Sequence, residues 1–162
     1  AQAAYDIGAK QIAVALDRGE DVVCLCEGDP FFYGSFMYLY ARLAADYQVE
    51  VVPGVTSITT CAARAGMPLA ARNERLTVLP GPLPVEELRT RIAGAESVAI
   101  MKVGRHLNKI RTVIAELGLT DKAAYIERAS LPDELVCPLA DAPEKAPYFS
   151  MIILTKGADP WL

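Results

Sequence analysis

The sequence predicts an α/β protein built as two successive units, residues 1–72 with a mainly parallel sheet and residues 73–162 as a complete smaller α/β unit. Three observations carry this expectation. Short, continuously apolar, β-branched-rich runs alternate with stretches of helical spacing, as in sheets covered on both faces. A polar, irregular stretch from Met67-Pro68 to Asn73 interrupts the alternation, which then restarts. The chain of 162 residues is 52% hydrophobic with a mean hydropathy of +0.23, enough to bury a sizeable core and to exclude general disorder.

Residues 3–18 place Ala4, Ile7, Ile12, Ala15 and Leu16 near helical spacing, and Gly19 stops the helix. Val22 to Cys26 reads as a strand, Glu27-Gly28-Asp29-Pro30 as a turn, and Phe31 to Ala45 as a helix. Glu50-Val51-Val52 is a second short strand broken by Pro53-Gly54. Thr56 or Ser57 then caps a helix that ends at Gly66. In the second unit, Leu76–Leu79, Ser97–Met101, Ala123–Glu127, Glu134–Cys137 and Phe149–Leu154 read as strands. Helices fall at Val85–Ala93 and on the face marked by Leu107, Ile110, Ile114 and Leu117, while Asp141–Pro147 is a Pro-broken loop.

Composition narrows the function. The balance of 16 basic against 20 acidic side chains gives a net charge of −4, so no long-range field attracts nucleic acid. No apolar run approaches the roughly 18 residues needed to span a bilayer, and the opening AQAAYDIGAK lacks a secretion signal. The chain is therefore expected in the cytoplasm, without membrane or nucleic-acid partners. Cys24, Cys26, Cys61 and Cys137 form no Cys-x-x-Cys pair, so disulfides and zinc are not expected. Cys24 and Cys26, two apart on the first strand, are expected as small buried hydrophobes on one sheet face. No metal site is expected, since His106 has no partner at ligand spacing.

Three stretches stand where open α/β sheets bind ligands, beyond the carboxyl ends of strands. In CEGDPFFYG, residues 26–34, Gly28 allows close approach to the main chain, and Asp29 either accepts from a ligand hydroxyl or caps the next helix. Pro53-Gly54-Val55-Thr56-Ser57 also joins a strand to a helix, with its hydroxyls as caps or as ligand contacts. In MKVGRHLNKIR, residues 101–111, Met101 and Lys102 end a strand and Arg105, His106, Lys109 and Arg111 crowd the next turn and helix, either as a solvated face or as an anion site beside a helix N-terminus. No nucleophile elbow, Walker loop or Cys-His pair is present, which leaves a site that positions reactants.

In this order the loops CEGDPFFYGSFMYLYARL, VEVVPGVTSITTCAARAGMPLA and SVAIMKVGRHL resemble the tetrapyrrole (corrin/porphyrin) methylase family. The resemblance implies a two-domain tetrapyrrole methylase-like fold with an incomplete first domain. It also implies a homodimer that uses S-adenosyl-L-methionine, releases S-adenosyl-L-homocysteine, and methylates a carboxylate-rich tetrapyrrole. By the same resemblance, cofactor contacts fall to Glu27, Gly28, Asp29, Phe32, Thr56, Ser57, Met101 and Ala129. Substrate carboxylates are expected at Arg72, Arg75, Lys102, Arg105, His106 and Lys109. The family's opening strand and Gly-Pro-Gly-Asp-type loop do not precede Ala1, so the sequence reads as a piece of something longer. Alternatives are a relative acting on a protein side chain or ribosomal RNA, or a non-catalytic binding or dimerisation module. No catalytic residue is expected, because aligning an electrophilic methyl with an electron-rich carbon carries most of such a reaction.

Overall fold

A computed structural model describes residues 2–157, which form two compact units, one ending at Thr56 and one beginning at Ser57. This division precedes the one expected near residue 72, because the helix from Ser57 to Ala65 packs on strands of the second unit.

In the second unit, five strands follow the reading closely: β1 (Leu76–Pro80), β2 (Ser97–Met101), β3 (Ala123–Glu127), β4 (Leu135–Pro138) and β5 (Ser150–Thr155). They form one sheet in the order β1-β2-β5-β3-β4. The β1–β2 pair is parallel, whereas β5 runs antiparallel to β2 and β3, and β4 antiparallel to β3. The sheet is therefore mixed. Its parity follows from the alternation of side chains along a strand. Val98, Ile100, Tyr125, Ile152 and Leu154 join the main core with Leu88 and Ile92 of α4 (Val85–Ala93) and with Leu107, Ile110 and Ile114 of α5 (Leu107–Glu116). The opposite parity, Ala99, Ala124, Ile126, Met151 and Ile153, is also buried, and α3 (Ser57–Ala65) packs on β3, β4 and β5 through Ile58, Cys61 and Ala62. Each fully buried Ile contributes about 1.5–3 kcal/mol relative to exposure.

The first unit is helical: α1 (Gln2–Leu16) packs on α2 (Phe36–Leu43). Arg42 Nε donates to Asp6 Oδ1 at 2.6 Å, its Nη2 donates to Gln2 Oε1 at 2.7 Å, and Tyr47 O–H donates to Asp17 Oδ1 at 2.8 Å. The mainly parallel sheet expected here is absent among the described residues. Val22–Cys26 and Glu50–Val52 have no ladder, and Val23, Leu25 and Val52 are exposed. A strand is held by partners on its edges, and an apolar run without such partners stays irregular. The second helix is also shorter than expected, because residues 31–35 form turns around Asp29.

The cysteines follow from this arrangement. Cys24 and Cys26 are exposed, contrary to the buried strand face expected, whereas Cys61 is buried in α3. Burial, with a smaller contribution from the charge of Glu134, pushes the Cys61 thiol up to about 11, so its thiolate fraction at pH 8 is about one in a thousand. Titration with an aromatic disulfide reagent is expected to modify Cys24 and Cys26 rapidly, and Cys61 only after denaturant is added.

Candidate functional site

In the first unit, Asp29 joins the two loops that the sequence singled out. Its Oδ1 accepts from Phe31 N–H at 2.9 Å, which shapes the turn, and its Oδ2 accepts from Gly54 N–H at 3.0 Å, which fastens the second loop to the first. These main-chain donors, Gly54 first and Phe31 next, hold the Asp29 carboxyl below its usual range. The contact is too close for a side chain: a Cβ on Gly54 would lie 2.1 Å from Gly28 O. Gly28 itself has φ +75°, in the left-handed region that favours glycine. Glu27 and Gly28 are exposed beside this junction, Phe32 is half-buried, and half-buried Thr56 ends the second loop. Both carboxylate oxygens of Asp29 thus bind main chain, with Glu27 and Gly28 exposed beside them.

In the second unit, β5 runs opposite to its two neighbours, so β2 and β3 end at the same edge of the sheet. Met101, half-buried, closes β2, and its carbonyl accepts from Gly81 N–H at 2.7 Å. Ala129 follows β3 between Arg128 and Ser130, whose φ values of 49° and 67° lie in the left-handed region, as does that of Lys102 at 56°. For residues with a Cβ this conformation costs on the order of 1–3 kcal/mol each, and such strain clusters at functional edges. Glu134 holds the turn. It accepts from Ser130 N–H and pairs with Arg64 of α3, whose Nε is 2.8 Å from both carboxylate oxygens. Arg64 first, then the Ser130 amide, lower the Glu134 pKa. Ser57 opens α3 in this unit.

The six expected substrate cations separate along the sheet. Arg75 lies just before β1 and donates from Nε at 3.1 Å and from Nη2 at 2.7 Å to Glu96, just before β2. At about 3.3 Å per residue, this amino end is roughly 20 Å from the level of Lys102. Exposed Arg72 precedes the same end. Lys102, Arg105 and His106 instead line one cavity at the carboxyl edge. Lys109 is drawn to the same edge, where its Nζ donates to Leu83 O in the turn after β1. Desolvation first, then Lys109 and Arg105, lower the His106 pKa and favour the neutral ring. The cavity is also lined by Tyr148, a residue passed over in the sequence because it lies between a Pro-broken loop and a strand. Its signal was the adjacent pair Tyr148-Phe149, both exposed at the start of an apolar strand. Among the described residues, no cluster of His, Cys, Asp or Glu could hold a metal, and no helix is long and apolar enough to cross a membrane.

These loops and this strand edge are those of a methylase family. The family profile for Tetrapyrrole (Corrin/Porphyrin) Methylases matches residues 1–143, and the chain belongs to that family. Within it, the sequence is 44% identical over 156 residues to a precorrin-2 C(20)-methyltransferase of Sinorhizobium sp, covering 96% of this chain and 64% of that relative. The chain thus spans a little under two thirds of that relative's length. A structure of uroporphyrin-III C-methyltransferase from Thermus thermophilus superposes with a TM-score of 0.69 at 27% identity, covering 93% of this chain and 70% of that one. A second structure of that enzyme, complexed with S-adenosyl homocysteine, gives 0.57 at 26% identity, covering 80% and 63%.

Two outcomes test the geometry. Gly54→Ala forces the Gly28 carbonyl aside and disturbs the Asp29 contact, so it is expected to loosen the junction of the two loops and to speed amide hydrogen exchange at residues 28, 29, 31 and 54 by about tenfold or more. The Arg75 guanidinium and then its amide pull the Glu96 carboxyl from 4.5 down to about 2. Its folded-state pKa is depressed, so its contribution is complete above 4.5 and is lost as pH falls towards 2. Glu96→Gln is expected to flatten that part of the acid-unfolding curve, measured by urea denaturation across the window.

Proposed function

We propose that this chain is part of an S-adenosyl-L-methionine-dependent C-methyltransferase that acts at C20 of precorrin-2 in corrin ring biosynthesis. The observation that carries the reading is the junction of the two glycine loops through Asp29, beside which Glu27 and Gly28 are exposed. Identity of 44% to a precorrin-2 C(20)-methyltransferase supports the substrate, and the relative complexed with S-adenosyl homocysteine supports the cofactor.

In the first unit, Gly28 presents bare backbone suited to polar ligand groups, Thr56 a hydroxyl and Phe32 an apolar ring. In the second unit, Ser57 supplies a hydroxyl, Met101 thioether surface, and Ala129 lies in a fixed turn. When bound, S-adenosylmethionine supplies an electrophilic methyl group. The chain's part is to orient its ligands and to exclude water, which would otherwise solvate the sulfonium charge and resist its dispersal. Lys102, Arg105 and His106, with Lys109 nearby, are the groups suited to substrate carboxylates. Arg72 and Arg75, at the far end of the sheet, are not assigned that role. Family resemblance supports a homodimer, and the free cysteines support a cytoplasmic setting.

Calorimetric titration with S-adenosylhomocysteine is expected to show saturable one-site heat. Incubation with S-adenosylmethionine and precorrin-2 is expected to give a product heavier by one CH2 in mass spectrometry. Absence of heat would overturn the reading in favour of a non-catalytic module.

A further inference from the structure

β3 and β4 form a hairpin closed by the pair Glu127–Leu135, and residues 128–134 connect them. Hairpin connections usually take roughly two to five residues. This one is longer and strained, since Arg128 and Ser130 both have left-handed φ values. Strand pairing calls for neither the length nor the strain, because β3 is buried along its whole length and is also held by β5. Strain kept beside a well-ordered sheet marks a turn whose shape serves something other than folding.

Glu134 supplies the restraint. Its side chain is only 14% exposed although it stands at the mouth of a surface turn, and its partner Arg64 is 54% exposed. The carboxylate accepts from Ser130 N–H across the turn and from Arg64 Nε at 2.8 Å, with Arg64 Nη2 at 2.6 Å from Oε1. Arg64 follows Cys61 by three residues, so the face of α3 that packs on the sheet also carries the guanidinium towards Glu134. Arg128 closes the other side, where Nη1 reaches Glu127 at 3.0 Å and Nε reaches Asp133 at 3.2 Å. Its N–H donates to Phe149 O at 2.9 Å, which joins the turn to the Tyr148–Phe149 strap leading into β5. One carboxylate thus connects the turn that holds Ala129 to the helix that begins at Ser57.

We propose that Glu134, anchored by Arg64, is a positioning residue that fixes the 128–130 turn and α3 against each other, so that Ala129 and Ser57 meet a ligand in one geometry. The proposal rests on the methyltransferase reading above, under which Ser57 and Ala129 serve the cofactor, and it adds two residues that act through them. An ion pair open to solvent on one side contributes little to stability. Loss of the acceptor for the Ser130 amide, in contrast, frees the turn to leave its left-handed conformation. Binding therefore depends on this clasp more than folding does.

The test is calorimetric titration with S-adenosylhomocysteine, read beside the thermal unfolding midpoint and amide hydrogen exchange at Ser130. Glu134→Ala is expected to weaken binding by about tenfold or more and to speed exchange at Ser130, with the midpoint within about 4 °C of wild type. Glu134→Gln, which keeps an acceptor for the Ser130 amide, weakens binding less. Arg64→Met weakens it by about threefold or more, and Arg64→Met combined with Glu134→Ala is no weaker than Glu134→Ala alone, because both act through one contact. Unchanged affinity or unchanged Ser130 exchange in Glu134→Ala overturns the proposal. So does a loss in Glu134→Gln equal to that in Glu134→Ala, an additive loss in the double variant, or a loss in both single variants that only accompanies a lowered unfolding midpoint. These outcomes leave wild-type binding in place, whereas absence of heat with the wild type overturns the methyltransferase reading and the proposal with it.

Discussion

Burial of β5 on both faces is the constraint from which the second unit follows. Ile152 and Leu154 face α4 and α5, while Met151 and Ile153 face the side covered by α3, so the strand satisfies its main chain only by pairing on both edges. Running antiparallel to β2 and β3, it makes those two strands point the same way. Their carboxyl ends then emerge together, next to the amino end of β5. That single edge accordingly collects Met101, Lys102, Arg128, Ala129 and the Tyr148–Phe149 strap. It also collects the strained residues, and a well-ordered sheet is what keeps such turns in place.

Charge is sorted along the same axis. At the amino ends of β1 and β2, Arg75 and Glu96 neutralise each other in an exposed pair. The carboxyl edge carries Lys102, Arg105 and Lys109 around a cavity that has no acidic lining among the described residues. A buried carboxylate at this edge, Glu127, is already satisfied by Tyr125 O–H at 2.6 Å and by Arg128 Nη1 at 3.0 Å. Burial and that carboxylate together raise the Tyr125 pKa and keep the phenol protonated as a donor. An acidic protein thereby presents a locally cationic surface.

The first unit rests on a smaller device. One carboxylate, Asp29, satisfies two amides from different loops, and the glycine at position 54 lets the backbones approach closely enough for it to do so. The apolar residues around it, Val23, Leu25 and Val52, stay exposed because no ladder forms to bury them. Loop geometry is therefore specified here by side-chain hydrogen bonding, whereas in the second unit it is specified by the sheet.

What the sequence determined alone was local. Periodicity located α1, α3, α4, α5 and all five strands of the second unit to within a residue or two, because those segments carry their own apolar spacing and turn residues. It also singled out the turns that carry Gly28, Asp29 and Gly54, since glycine and proline punctuate apolar runs. Tertiary structure decided the rest. Whether Val22–Cys26 becomes a strand depends on partners that no local pattern encodes, and so does the burial of Cys24 and Cys26. Which of six basic residues face one cavity depends on strand direction, and the place of Tyr148 beside them depends on a reversal of β5 that brings residues far apart in the chain to one edge. Spacing along the chain records what a segment prefers, and only packing records what stands opposite it.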